Sequence, residues 1–181
     1  MDKLSLGIFV VPTIALILII TGYVHFLKRV IDKRNYQHFV VTTAVAAFVL
    51  NFAWEVAQGP MYEGFQYDLG HVSFCALASV ADMFMVLILL FAFGLIYKNV
   101  LWIVPVKFNR SLVLILVGGV GAILAEMWHT SRGDWSYADA MPLIPVVEVG
   151  LSPVLQFSIL PLIVFVLSKK ILKIISSSFG T

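Results

Sequence analysis

The sequence is poor in charged residues and almost free of cysteine, and each shortage excludes a class of protein. Only 12% of its 181 residues are Asp, Glu, Lys or Arg, whereas soluble domains carry roughly a quarter. A soluble globular fold is therefore excluded. Cys75 is the only cysteine, which excludes an intrachain disulfide and leaves the redox compartment undefined. The basic residues have no soluble domain behind them, so we expect no nucleic-acid partner.

Hydrophobic residues make up 61% of the chain and fall into five runs long enough to cross a hydrocarbon core of about 30 Å. They predict an all-α polytopic membrane protein, a single bundle of five transmembrane helices within residues 1–181. We expect the first run to be retained, because it lacks the small-residue cleavage site of a signal peptide. The predicted helices cover residues 6–27, 38–58, 71–97, 111–129 and 144–167.

Lysine and arginine are divided unequally between the two ends of the predicted bundle. Ten of the twelve lie in the loops 28–37 and 98–110 or in the C-terminal tail, and the opposite end has only Lys3 and Arg132. The positive-inside rule then predicts an external N-terminus and a cytoplasmic C-terminus. We accordingly expect a multi-pass protein of the cell (inner) membrane.

An acid, two amides and three aromatic residues are concentrated between Asn51 and Tyr62, at the end of the second run. An ionisable side chain in a membrane helix is costly, so it indicates a functional site. Asn51, Glu55 and Gln58 recur at spacings of four and three, which places them on one helix face. Tyr62 would continue the same face.

Each of the next three predicted helices also has a single polar stripe, and such stripes point into a bundle. The stripes are His71, Cys75, Ser79 and Asp82 in the third helix, Glu126 and His129 in the fourth, and Glu148, Ser152 and Gln156 in the fifth. Asp82 lies about 16 Å along the helix from His71. We therefore predict a funnel with several acids at its outer mouth, Asp82 at its bottom, and the aromatic loops 59–70 and 131–142 as a lid.

Desolvated carboxylic acids can give and take back a proton near neutral pH, and aromatic rings stabilise cationic centres. Together they suit proton-initiated isomerisation or cyclisation of a lipid or isoprenoid that enters from the bilayer, without a cofactor or metal. The catalytic candidates are Glu55, Asp82, Glu126 and His129. The substrate-binding candidates are Asn51, Trp54, Gln58, Tyr62, His71, Trp135, Tyr137, Glu148 and Gln156.

The combined pattern N-x-x-W-E-x-x-Q-x-P-x-Y, an aspartate in the third helix, G-D-W-S-Y-x-x-x-M-P and G-L-S-P-x-L-Q resembles a widespread bacterial family of small membrane proteins. The resemblance covers the chain from Asn51 to Pro161.

Two more distant resemblances concern enzymes. The segment Gly133-Asp134-Trp135-Ser136-Tyr137, followed by Glu148, resembles a motif of emopamil-binding sterol isomerases, although those proteins usually have an arginine where Ser136 stands. The N-x-x-W-E segment is similar to the second-helix acid motif of membrane-bound meroterpenoid cyclases, which implies a proton-donor role for Glu55. Those cyclases have seven helices, so this chain is shorter.

Two other function classes stay open at this point. One is a lipid or small-molecule binding or transport protein, or a subunit of a larger membrane complex, although no polar stripe continues from Asp82 to the basic end. The other is a metal-dependent hydrolase with His71, Asp82, Glu126 and His129 as ligands drawn from separate helices. Homo-oligomer formation is also left open.

Overall fold

Five long helices dominate the computed structural model, which describes residues 10–103 and 105–178. Each helix is long and apolar enough to cross a membrane, so the prediction of an all-helical chain with five candidate spans is confirmed. Residues 6–9 of the first predicted helix lie outside the described residues. The helices are α1 (Val10–Leu27), α2 (Lys33–Gln58), α3 (Leu69–Ile96), α4 (Phe108–Arg132) and α5 (Leu151–Ser178).

Local side-chain hydrogen bonds fix where α2 and α3 begin. Asp32 accepts a hydrogen bond from the backbone N–H of Asn35 at 2.9 Å, and Asp68 accepts one from the backbone N–H of His71 at 2.9 Å. Both aspartates act as N-caps, which satisfy backbone donors that the first helical turn leaves unpaired. As a result α2 begins five residues earlier than the predicted residue 38, and α3 begins two residues before 71.

The end of α3 is closed by a Schellman motif. The N–H of Asn99 donates to the carbonyl of Gly94, and the N–H of Lys98 donates to the carbonyl of Leu95. Lys98 has a φ of 53°, in the left-handed region where glycine is the usual residue. A lysine there costs about 1 kcal/mol of backbone strain.

The helices pack in the order α1, α3, α2, α5, α4. α2 lies at the centre and contacts both α3 and α5, whereas α1 packs on the far side of α3 and α4 on the far side of α5. Within the described residues, α3 and α4 do not pack extensively against each other. The arrangement therefore leaves one side of the bundle, between α3 and α4, without a helix-to-helix seal.

Small residues bring α4 and α5 together. A Cβ atom placed on Gly118 would clash with the backbone carbonyl of Phe157, and one placed on Gly119 would lie 2.7 Å from the hydroxyl of Ser158. Close approach through glycine is a common way to pack membrane helices. The glycine stretch of α4 is thus a packing surface.

The apolar core occupies the half of the bundle nearer the basic loops. Phe39, Leu90, Trp102 and Phe165 are fully buried there. The indole N–H of Trp102 donates to the carbonyl of Leu90 at 3.1 Å, so the buried ring leaves no unpaired donor.

The start of the fifth helix differs from the prediction. Residues 143–150 form a small antiparallel hairpin, with β1 (Leu143–Ile144) opposite β2 (Val149–Gly150), and α5 begins only at Leu151. Pro142 and Pro145 flank β1, and each fixes φ and lacks the N–H that a helix would use. The predicted bounds 144–167 were therefore too early at the start and, because α5 runs on to Ser178, too early at the end.

Candidate functional site

The carboxyl groups of Glu55 and Asp82 meet where α2, α3 and α5 come together. Both side chains are half-buried, and one side chain, that of Gln156, bonds to both. The amide Nε2 of Gln156 lies 2.9 Å from Oε1 of Glu55 and 3.1 Å from Oδ2 of Asp82. Three side chains from three helices thus converge on one point.

The amide nitrogen of Gln156 lies within hydrogen-bonding distance of three acceptors. Besides the two carboxylates, Nε2 lies 2.9 Å from Oδ1 of Asn51, whereas an amide nitrogen carries only two N–H groups. Asn51 in turn donates to the carbonyl of Ala47 at 2.8 Å. Gln156 and Asn51 are almost completely buried, so the competition among the three acceptors takes place away from water.

A second row of hydrogen bonds anchors this carboxyl pair to α5. The Nε2 atom of Gln58 donates to Glu55 at 2.9 Å and to Oε1 of Gln156 at 3.0 Å. The hydroxyl of Ser152 donates to Oε1 of Gln58 at 2.8 Å and accepts from the indole N–H of Trp54 at 3.2 Å. Five of the predicted site residues on α2 and α5 are therefore joined in one network, which also reaches Asp82 on α3.

Asp82 lies level with Glu55, which differs from the predicted funnel. Asp82 is about 20 Å from the first residue of α3, while Glu55 is one turn from the last residue of α2. The two helices are thus offset along their axes, and α3 extends beyond the end of α2. Spacing within each helix could not reveal this offset, because it depends on how the helices pack.

Glu126 forms the centre of a neighbouring cluster and is buried at 8% exposure. Its Oε2 accepts hydrogen bonds from the hydroxyl of Tyr137 and from the indole N–H of Trp135, the latter at 3.2 Å. Glu126 is also close enough to Glu55 and Asp82 for their charges to interact. Three carboxyl groups from three helices therefore share one region.

His129 lies at the solvent-exposed edge of this cluster. Its Nδ1 is 2.7 Å from Oδ2 of Asp134, and its ring stacks on Trp135 at a centroid distance of 4.3 Å. Trp135 stands between His129 and Glu126, stacking on one and donating to the other. The predicted partnership of Glu126 and His129 is therefore indirect.

The two loops between the helices pair with each other over this region. Tyr62 and Tyr137 form an antiparallel bridge, the N–H of Glu63 donates to the carbonyl of Ser136, and the N–H of Ala138 donates to the carbonyl of Met61, both at 3.0 Å. The hydroxyl of Ser136 also donates to the carboxylate of Glu63 at 2.6 Å. We call residues 59–68 and 133–142 the lid loops.

The two tyrosines of the lid loops are held as hydrogen-bond donors. Burial raises the pKa of Tyr62, and the nearby carboxyl groups of Glu126 and Glu55 raise it further. Burial also raises the pKa of Tyr137, and its hydrogen bond to Glu126 adds to the effect. Both phenols therefore keep their protons across the physiological pH range.

Two predicted site residues lie apart from the carboxyl network. His71 pairs with Asp68, its Nδ1 2.9 Å from Oδ2, at the exposed start of α3. Glu148 lies in the turn of the 143–150 hairpin with a φ of 52° and is exposed. Its predicted alignment with Ser152 and Gln156 was wrong, because it assumed a helix that starts only at Leu151.

Two residues that position side chains of the site were not among the predicted site residues. Ser152 links Trp54 to Gln58, and Asp134 holds the ring of His129. The sequence did contain a signal for Ser152, which precedes Gln156 by four residues on the same helix face.

The described residues contain no group of three or more His, Cys, Asp or Glu side chains arranged to hold a metal ion. His71 lies about 16 Å from Asp82 along α3 and is paired with Asp68, and His129 is turned toward Asp134. The metal-hydrolase alternative therefore has no donor set among the residues that the structure covers.

No family model, curated protein or solved structure matches the chain. The resemblances to the bacterial membrane family, the sterol isomerases and the cyclases stay predictions.

Proposed function

We propose that the protein is an integral membrane enzyme that isomerises or cyclises an isoprenoid-like lipid by acid–base chemistry. The observation that carries the proposal is that one amide group, that of Gln156, bonds to the carboxyl groups of both Glu55 and Asp82 and so holds them side by side. Two carboxyl groups held this close favour the state with one proton between them, because two negative charges at one site repel each other. Such a pair has an acid and a base in place at the same time.

The proposed reaction needs no oxidant, reductant or second substrate. The protonated carboxyl of the pair adds its proton to one carbon of a carbon–carbon double bond, and the π electrons form the new C–H bond. The resulting carbocation loses a proton from an adjacent carbon to the other carboxylate, which restores a double bond at a new position. In a cyclisation, a second double bond attacks the cation before that final loss. The proton count of the carboxyl pair is unchanged.

The amides around the pair would keep it oriented through the cycle. Gln156 on α5 and Gln58 on α2 both donate to Oε1 of Glu55, so that carboxyl is held from both helices. Because Gln156 has three acceptors for two N–H groups, it can follow the negative charge from Glu55 to Asp82 as the proton moves. We assign Gln156 as a positioning residue.

Aromatic rings next to the carboxyl groups suit a cationic intermediate. Tyr62 contacts the rings of Trp135 and Tyr137 at centroid distances of 6.4 and 5.7 Å, and its hydroxyl lies near Glu55, Asp82 and Glu126. Ring faces attract cations, more strongly where water is excluded. In this proposal the lid loops supply the aromatic wall, and Glu126 fixes two of its rings.

The open side of the bundle supports entry from the bilayer. α3 carries Asp82 and α4 carries Glu126, and these are the two helices that lack an extensive mutual contact. A lipid approaching between them would meet the carboxyl groups without crossing the lid loops. We further propose that the site faces the outside of the inner membrane, since most basic residues lie at the opposite end.

The apolar core between the site and the basic loops favours catalysis at the site over conduction of protons or solutes through the membrane. Val86, Leu90 and Phe165 are almost completely buried and belong to the continuous apolar cluster between Asp82 and the basic loops. A path for protons or polar solutes requires polar groups or water along its length. For this reason we place transport behind catalysis.

Solvent deuterium tests the proposed reaction directly. The purified protein, reconstituted with the total lipid extract of its own membranes, is incubated in D₂O, and the lipids are examined by mass spectrometry for deuterium bound to carbon. Addition of a solvent-derived proton to a double bond leaves a C–D bond that does not wash out. We expect one lipid class to gain deuterium with the wild-type protein.

Variants and a matched control complete the experiment. Glu55→Gln and Asp82→Asn should each lower the labelling rate by about a hundredfold or more, the contribution expected of a general acid or base. Asp139→Asn changes an exposed acid of the lid loops and should leave the rate unchanged. If the wild-type protein labels no lipid, or if the three variants label it equally, the proposed chemistry is wrong.

A further inference from the structure

A recess of about 360 Å³ lies at the opposite end of the bundle from the carboxyl network. It is bordered by His25 and Arg29 at the end of α1 and by Lys98 and Asn99 after the end of α3, with Phe26 on its inner side. Phe26 fits against Gly94, where an added Cβ would lie 2.9 Å from the phenyl ring. Glycine at this contact lets α1 and α3 converge beneath the recess.

The recess is basic and contains no acid. Arg29 and Lys98 border it, Lys28 lies beside it, and none of its lining residues is Asp or Glu. Within residues 10–103 and 105–178, no carboxylate forms an ion pair with any of these three cations. Arg29 instead contacts the ring nitrogen of His25, a neutral acceptor in that arrangement. Among the described residues, the positive charge at this point therefore has no carboxylate within ion-pair distance.

Lys98 has a left-handed backbone conformation that a lysine rarely adopts. It is the left-handed residue of the Schellman motif that ends α3, and glycine would fit that conformation without strain. A strained non-glycine residue is a reason to look for a function of its side chain. Here the side chain adds a second cation opposite Arg29.

An apolar groove leads from the recess toward the middle of the membrane span. A surface depression of about 480 Å³ shares His25 and Arg29 with the recess and continues along α1 past Val24 to Ile20. Those two side chains are exposed. A ligand that fills both would have an anionic group at the level of Arg29 and an apolar chain that lies deeper, beside the preceding turns of α1.

We propose that this end of α1 and α3 binds an anionic phospholipid, with its phosphate between Arg29 and Lys98 and an acyl chain along Val24 and Ile20. Basic pockets between membrane helices are suited to such headgroups. Guanidinium groups bind phosphate through paired N–H groups, and lysine contributes a point charge. A free phosphate would satisfy the cations but would leave the apolar groove unused.

Lipid competition on the full-length protein tests the proposal. The protein is reconstituted in nanodiscs of phosphatidylcholine containing a minority of phosphatidylglycerol, released, and examined by native mass spectrometry for retained lipids. We compare the wild type with the double variant Arg29→Gln/Lys98→Gly, in which glycine relieves the backbone strain and protects folding. The control is Lys33→Gln/Arg34→Gln, which removes two exposed cations of the same end outside the recess.

The wild type should retain phosphatidylglycerol in preference to phosphatidylcholine. In the double variant, the ratio of retained phosphatidylglycerol to phosphatidylcholine should fall about fivefold for each cation removed. The control should keep it. Equal preference in the wild type and the recess variant, or an equal loss in the control, would refute a specific site. An excess of inorganic phosphate in the release buffer should leave the retained lipid in place, and its displacement would identify a phosphate site instead.

Discussion

The side-chain amide of Gln156 on α5 donates to the carboxylate of Glu55 on α2 across 2.9 Å. This bond lies in the contact between the two helices at the centre of the bundle. The same side chain therefore serves helix packing and the candidate site. Hydrogen bonds between membrane helices are worth about 0.6 kcal/mol on average, but Gln156 takes part in several at once.

Replacing Gln156 by leucine should destabilise the protein more than a single lost bond would. Leucine preserves most of the volume but leaves Asn51, Gln58 and the carboxyl pair without their common partner. Each buried polar group left unpaired costs about 1–3 kcal/mol. Equilibrium unfolding in detergent measures the loss. The control is Ser168→Ala on the same helix, because Ser168 is fully buried but bonds only to the carbonyl of Val164. Equal losses in both variants would show that the network adds nothing.

Removing the hydroxyl of Tyr137 should loosen the lid loops. In Tyr137→Phe the carboxylate of Glu126 loses the hydrogen bond from the Tyr137 hydroxyl. Burial raises the pKa of Tyr137, so this hydroxyl keeps its proton and remains a donor in the wild type. We expect the backbone amides of Glu63 and Ala138, which cross between the loops, to exchange hydrogen about tenfold faster, as for the loss of one bond to a charged group. Tyr67→Phe is the control, since Tyr67 is exposed. If the exchange rates are unchanged in Tyr137→Phe, the hydrogen bond to Glu126 does not stabilise the lid loops.

The start of α3 should become less stable in acid. The pKa of Asp68 is held below its ordinary value because the carboxylate accepts hydrogen bonds from the backbone N–H and the ring of His71. A carboxyl whose pKa is lower in the folded state stabilises that state above its unfolded pKa, and the contribution disappears as the pH falls through the folded value.

Amide exchange in the first turn of α3, corrected for the intrinsic pH dependence, measures this effect. Protection should be constant from neutral pH to about 5 and should fall below about pH 4, near the ordinary pKa of an aspartate. Asp68→Asn keeps an N-cap acceptor but cannot titrate, so its protection should not change over this range. The same acid-dependent loss in that variant would assign the effect to another group.

Helical periodicity was enough to predict most of the carboxyl network. Asn51, Glu55 and Gln58 share a face because of their spacing, and Gln156 faces them because the buried side of α5 has to accommodate its amide. What spacing could not supply is the offset between helices, which brought Asp82 level with Glu55. That offset is decided by tertiary packing.

His71 and Glu148 were predicted in the site but lie outside it because of local interactions of the backbone. His71 bonds to the aspartate three residues before it, and a short-range bond of this kind competes with any longer reach into the site. Glu148 was assigned to a helix because its surroundings are apolar, whereas Pro142 and Pro145 favour an extended hairpin there. Hydropathy alone does not separate a helix start from such a hairpin.

Alanine substitutions in the glycine stretch of α4 should separate close packing from simple helix propensity. Gly118→Ala would drive its methyl group into the carbonyl of Phe157, whereas Gly121→Ala meets nothing within 4 Å. Alanine favours a helix over glycine by about 1 kcal/mol, so Gly121→Ala should be neutral or stabilising. Gly118→Ala should destabilise by about 1–3 kcal/mol, the usual range for overpacking. Thermal unfolding of both variants in the same detergent gives the comparison. If Gly118→Ala proves as stable as Gly121→Ala, α4 and α5 are not held at glycine distance, and Glu126 would not be fixed near the carboxyl pair by this contact.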